Sequence, residues 1–145
     1  MITAQICSIL EALPLGDEEQ IVKTIDILIA DDEPHIVRAL SFIFSKAGFV
    51  IDTAVNGEEA LSKCRSLTPR VAFFDLVMPK MDGIQLCQLI KAEIRQQPPY
   101  IIILTCKGQD IDKEMCLKAG ANDFMTKPFS PKEVMEKVRF LLGEE

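Results

Sequence analysis

A chain of 145 residues, 48% of them hydrophobic, has the length of one ordinary domain and enough apolar material to bury a core, which excludes a disordered polypeptide. The formal net charge of -6, from 16 Lys and Arg against 22 Asp and Glu, argues against direct binding of nucleic acid or of an anionic membrane, since both need clustered cations. No apolar run reaches the roughly 18 residues of a spanning helix, the N-terminus lacks a secretory pattern, and five widely spaced cysteines make neither a CxxC pair nor a disulfide framework; a reducing cytoplasm is expected.

Residues 1–24 precede the regular pattern. Ile2, Ile6, Leu10 and Leu13 fall near one helical face, and Pro14 and Gly16 break it, so a short helix and a linker are expected. The segment reads as a loosely docked extension, with a homodimer contact or a cover for an exposed surface as the functional alternatives. From Ile25 to Glu145 short β-type runs alternate with amphipathic stretches, the signature of βα units feeding a parallel sheet. The first strand is expected over 25–30 (IDILIA), and the turn DDE before Pro34 leads into a helix over 35–47 stopped by Gly48. FVIDTAV at 49–55 is the second strand, and Asn56-Gly57 turns the chain into the helix EEALSKCRSL. VAFFD at 71–75 is the third strand, followed by the loop LVMPKMDG and a helix over 84–94; Asp82-Gly83 reads as an ordinary turn. YIIILT at 100–105 is the most β-prone run, and the helix IDKEMCLKA after it closes at Gly120. NDFMT is the fifth strand, and the last helix follows Ser130 as N-cap, with Pro131 at N1 and Glu133 at N3. Five units are too few for a barrel of about eight. The expected fold is α/β, a flavodoxin-like doubly wound sheet of five parallel strands in the order 2-1-3-4-5 with five helices.

Ligands of such sheets bind outside the carboxyl ends of the strands, where the winding direction reverses. Asp31 and Asp32 end the first strand, Asp75 the third, Thr105 the fourth and Lys127 the fifth, so all fall on one edge. Three carboxylates within about 5 Å would repel by roughly 3 kcal/mol per pair at an effective dielectric near 20. Lys127 neutralises one charge, and oxygen ligands without His or Cys favour a hard cation such as Mg²⁺ for the remainder. A carboxylate beside a cation and a lysine can attack phosphorus, giving an acyl phosphate on Asp75, while Thr105 donates its hydroxyl to a phosphoryl oxygen. Each piece has a plainer reading alone: an aspartate pair caps helices, a threonine suits a strand, a lysine faces solvent. Their joint placement at one edge carries the argument.

The pieces ILIADDEP, FFDLVMPKMDG, IIILT and ANDFMTKPFS, in this order over roughly residues 25 to 143, resemble the receiver domain of two-component response regulators. The resemblance implies Asp75 as phosphoacceptor, with Asp31, Asp32, Asp75 and the backbone carbonyl of Val77 around Mg²⁺ or Mn²⁺. Asp32 would be a direct ligand and Asp31 would help mostly through water. Lys127 would pair with the phosphoryl group, and Thr105 and Phe124 would form the switch. The implied donor is a phosphohistidine on a sensor histidine kinase or phosphotransfer protein, and the Lys127-Pro128 bond is implied to be cis. The domain would not be an enzyme in the ordinary sense but a signalling phosphoacceptor that catalyses its own modification.

Two positions depart from the family pattern: Phe124 where Tyr is common, and Cys106 where a small alanine is usual. Three rival readings stand beside this one. A phosphatase with an aspartyl nucleophile resembles a pattern with a second aspartate two residues on, where this chain has Val77; a flavodoxin needs a small-residue phosphate cradle where this chain has AspAspGluPro. A degenerate receiver would lack the aspartates, threonine and lysine kept here. With its end at LeuLeuGlyGluGlu, the chain fits a stand-alone receiver as well as a piece of a longer regulator, and the downstream partner is left open.

Overall fold

The computed structural model describes residues 24–106 and 110–143. The expected N-terminal helix and linker lie outside the described residues, so the division at Ile25 is not addressed by the fold. The chain forms β1 (Ile27–Ala30), α1 (Pro34–Lys46), β2 (Ile51–Ala54), α2 (Gly57–Leu67), β3 (Val71–Asp75), α3 (Gly83–Glu93), β4 (Tyr100–Cys106), α4 (Asp110–Lys118), β5 (Asp123–Lys127) and α5 (Pro131–Leu142). The strands make one sheet in the order β2-β1-β3-β4-β5 with every pairing parallel, as the alternating pattern predicts.

Helices cover both faces, which explains why β1, β3 and β4 are nearly continuous apolar runs. Successive residues point to opposite faces. Ile27, Ile29, Phe73, Ile102 and Leu104 therefore pack with Leu40 and Phe44 of α1 and Val134 and Val138 of α5. Leu28, Phe74, Ile101 and Ile103 pack on the other face with Leu61 and Cys64 of α2, Leu86 and Ile90 of α3, and Cys116 of α4. Phe44 stacks on Phe73 at 5.6 Å between ring centroids, locking α1 to the middle of the sheet.

The helix ends follow local chemistry. Asn56 caps α2 by accepting from the Glu59 backbone N–H, and Ser130 caps α5 by accepting from that of Glu133, with Pro131 opening the helix. Gly48 and Gly120 take positive φ after α1 and α4. The second strand is shorter than its alternation suggests: Val50 and Val55 are 56% and 58% exposed, because β2 is an edge strand and pairs only with β1. The Lys127-Pro128 peptide is cis, as the resemblance implied.

Candidate functional site at the carboxyl edge

Register assembles the site. Ala30 pairs with Phe74, so Asp31 and Asp75, one residue further on, leave the sheet side by side where the winding reverses between β1 and β3. Asp75 itself pairs with Leu104, placing Thr105 one residue beyond it, and Cys106 pairs with Lys127. Carboxylate oxygens of Asp31, Asp32 and Asp75 all lie within 4.8 Å of one another. Asp31 is fully buried, Asp75 is 7% exposed and Thr105 4%, whereas Asp32 faces solvent.

The loop after β1 is built by Asp31. Its Oδ1 accepts from the backbone N–H of Glu33 at 2.9 Å, an Asx-type turn that directs the chain into Pro34 and α1. Its Oδ2 is buried and makes no hydrogen bond, with the Lys127 Nζ 2.9 Å away only as an ion pair. A buried carboxylate oxygen left without a donor, beside two further carboxylates, fits a hard divalent cation that would complete its coordination.

Lys127 is the cation the sequence places there, and it meets three acids: Glu33 Oε1 at 2.6 Å, Asp31 Oδ2 at 2.9 Å and Asp75 Oδ1 at 3.3 Å. Burial works against its charge, but the surrounding carboxylates outweigh that effect and hold its pKa above the usual lysine range. Asp75 shows the opposite balance. Burial, followed by the charge of Asp31, pushes its pKa up to about 7, and Lys127 offsets only part of this. Glu33, hydrogen-bonded to Lys127, is held below the ordinary glutamate range.

Glu33 was not among the residues singled out in the sequence. It stands at the N-cap position of α1 yet makes no cap hydrogen bond there; its side chain turns to Lys127 instead. Sequence gave only one hint, its place directly after the aspartate pair. Asp82-Gly83 also proves to be more than an ordinary turn. Asp82 accepts from the Gln85 N–H while the Gln85 side chain accepts from the Asp82 N–H, a full capping box, and Gly83 packs against the backbone of Asp75. Val77 lies on the same loop with its side chain 68% exposed, and Leu76 N–H donates to the Leu104 carbonyl to tie the loop to β4. Phe124 is half-buried on β5, and the Lys113 ammonium lies 5.1 Å from its ring centroid.

A family model for the response regulator receiver domain matches residues 27–139. The alkaline phosphatase synthesis transcriptional regulatory protein PhoP of Bacillus subtilis is 40% identical over 116 residues, which cover 80% of this chain and 48% of that protein. The chain thus spans about half the length of the curated relatives it matches. Among solved structures, a putative response regulator from Chloroflexus aurantiacus superposes with a TM-score of 0.76 at 31% identity, covering 84% of this chain and all of that one. The receiver domain of sensor histidine kinase PA1611 from Pseudomonas aeruginosa, solved with a magnesium ion in its active site cleft, reaches 0.73 at 26% identity, covering 83% and 99%. The Saccharomyces cerevisiae Ssk1 receiver domain, crystallised with the histidine phosphotransfer protein Ypd1, reaches 0.75 at 26%, covering 82% and 89%. With the strand order, the acidic edge and a family model spanning most of its length in agreement, the chain belongs to the response regulator receiver domains of two-component phosphorelay signalling.

Proposed function

We propose that residues 25–145 form a receiver domain in which Asp75 accepts a phosphoryl group from a phosphohistidine on a sensor histidine kinase or phosphotransfer protein. The carrying observation is the setting of Asp75: a nearly buried carboxylate at the switch point, 3.3 Å from an ammonium and grouped with two further acids. Asp31, Asp32, Asp75 and the Val77 backbone carbonyl would hold Mg²⁺, or Mn²⁺ in its place. When bound, the cation offsets the charge of the incoming phosphoryl oxygens.

An oxygen of Asp75 attacks phosphorus in line, the P–N bond breaks, and its electron pair leaves with the donor imidazole. Lys127 pairs with a phosphoryl oxygen, and the Thr105 hydroxyl donates to another. Drawing Thr105 toward the phosphoryl group would open space for the Phe124 ring, changing the face made by α4, β5 and α5 and hence its affinity for a protein partner. The chemistry is confined to this self-modification and its hydrolysis, so the domain acts as a signalling phosphoacceptor rather than on a separate substrate. The net charge of -6 favours contacts of this domain with proteins over direct contact with nucleic acid or membrane. Among the described residues no helix is long and apolar enough to cross a membrane.

Intact mass after incubation with acetyl phosphate and Mg²⁺ tests the proposal. A labile gain of about 80 Da, the mass of one phosphoryl group on a carboxylate, is expected for the wild type and not for Asp75→Asn. An equal gain in both proteins would overturn it.

A further inference from the structure

An ammonium group offers three N–H donors and no acceptor. Of the three acidic neighbours of Lys127, Glu33 lies nearest, at 2.6 Å, against 2.9 Å for Asp31 and 3.3 Å for Asp75. The ammonium is therefore oriented by the acid at the rim of the site. The side chain of Glu33 is 46% exposed, against 0% for Asp31 and 11% for Asp75, so water can replace Lys127 at Glu33 far more readily than at either of the others. Glu33 also sits on the turn that Asp31 builds through its Oδ1, which fixes the distance from which it reaches the lysine.

We propose that Glu33 is a positioning residue that holds the Lys127 ammonium toward the rim of the pocket and yields it when an anion arrives on Asp75. The inference rests on the reading of Asp75 as phosphoacceptor. Glu33 and the phosphoryl group compete for one ammonium. While Glu33 holds it, the inner carboxylates are left to a cation; once Glu33 lets go, Lys127 turns inward, strengthening the hold on the anion and competing with the cation. Loss of the Glu33 contact should thus move the two affinities in opposite directions.

The test is titration of the full chain with Mg²⁺ alone, and then with beryllofluoride, a phosphoryl mimic, at saturating Mg²⁺. Glu33→Gln removes contact and charge together, whereas Glu33→Asp keeps the charge on a side chain one methylene too short to reach Lys127. In both variants Mg²⁺ should bind about two- to fivefold more weakly and beryllofluoride about two- to fivefold more tightly, the range of one partly exposed ion pair. Glu59→Gln, which takes an equal charge from the partly exposed Glu59–Lys63 pair on α2, should change neither. Opposite shifts in Glu33→Gln alone, with Glu33→Asp like wild type, would mean that bare charge acts and the contact does not, overturning the proposal. Unchanged or parallel shifts in both variants would overturn it as well. If beryllofluoride fails to bind wild type in the presence of Mg²⁺, the phosphoacceptor reading itself falls.

Discussion

Gly83 lies directly against Asp75: a Cβ built on the glycine would stand 2.7 Å from the Asp75 carbonyl oxygen and 3.3 Å from its carbonyl carbon. The neighbour is backbone at the end of the central strand, which cannot swing aside as a side-chain tip would. The Gly83 N–H donates to the Leu76 carbonyl at 2.9 Å, so the start of α3 closes back on the residue after the phosphoacceptor candidate. Gly57 makes a similar approach from α2, where a Cβ would collide with the Met81 carbonyl oxygen. The loop bearing Val77 is thereby clamped between two helix N-termini. Gly83→Ala should cost about 1 to 3 kcal/mol, the usual range for overpacking, and should weaken Mg²⁺ binding because the clash displaces Asp75. Urea unfolding and Mg²⁺ titration check this, and a stability loss below about 0.5 kcal/mol would refute the contact.

Asp75 carries a second expectation. Its carboxyl is pushed up to about 7 in the folded chain by burial first and by Asp31 second, against 3.8 for the ordinary group. Between those two pH values the folded state holds a proton on Asp75 that the unfolded chain has released. In this window the Asp75 contribution makes the metal-free protein less stable as pH rises, and the penalty is complete above about pH 7. Asp75→Asn should therefore raise metal-free stability by about 1 to 3 kcal/mol at pH 8, with the gain shrinking toward pH 5. Thermal melts of both proteins across this range provide the check. Mg²⁺ should raise the melting temperature of wild type more than that of Asp75→Asn; a variant less stable than wild type at pH 8 would contradict the account.

Much of this site is legible in the sequence because it depends on strand ends. VAFFD predicts β3 with the bounds the structure shows, and once β1 and β3 are neighbours, Asp31 and Asp75 must emerge together. The edges of elements were harder to read. The alternation in FVIDTAV runs past β2 on both sides, since Phe49 is drawn into the core by α1 while Val50 and Val55 are exposed without being part of the ladder. Two features have little local signal. Glu33 meets Lys127 across 94 positions of sequence, and the close approach of Gly83 depends on which backbone lies beneath it. Neither periodicity nor propensity carries that information, because both describe a segment and not what it is packed against.

Lys127 is the only basic residue that the described structure pairs with Asp31 or Asp75. Removing it leaves two buried carboxylates uncompensated, which is far costlier than losing an exposed pair. Lys127→Ala should lower metal-free stability by about 2 to 4 kcal/mol, and Mg²⁺ should restore much of that loss by taking over the vacated charge. Its affinity for the variant should exceed that for wild type, since a competing cation has gone. Melting curves with and without Mg²⁺, together with a direct binding titration, measure both effects. Equal Mg²⁺ affinity for the two proteins would show that the lysine and the cation do not share the pocket.

The aromatic at position 124 is held from one side by a charge. Lys113 of α4 places its ammonium 5.1 Å from the Phe124 ring centroid, and the ring packs partly against the core shared by α2, α3 and α4. A cation over an exposed aromatic face contributes about 0.5 to 1 kcal/mol, and the contact is lost if the ring turns inward on phosphorylation. Lys113→Gln should then favour the inward ring by a factor of about two to five. Because β5 carries both Phe124 and Lys127, the ring is linked through one strand to the lysine of the acidic pocket. A fluorine label on the Phe124 ring would report its two environments by NMR. The inward signal should grow on adding beryllofluoride and Mg²⁺ to wild type, and should be enriched in Lys113→Gln before either is added. A single unshifted signal under all of these conditions would rule out ring movement as the output of the site.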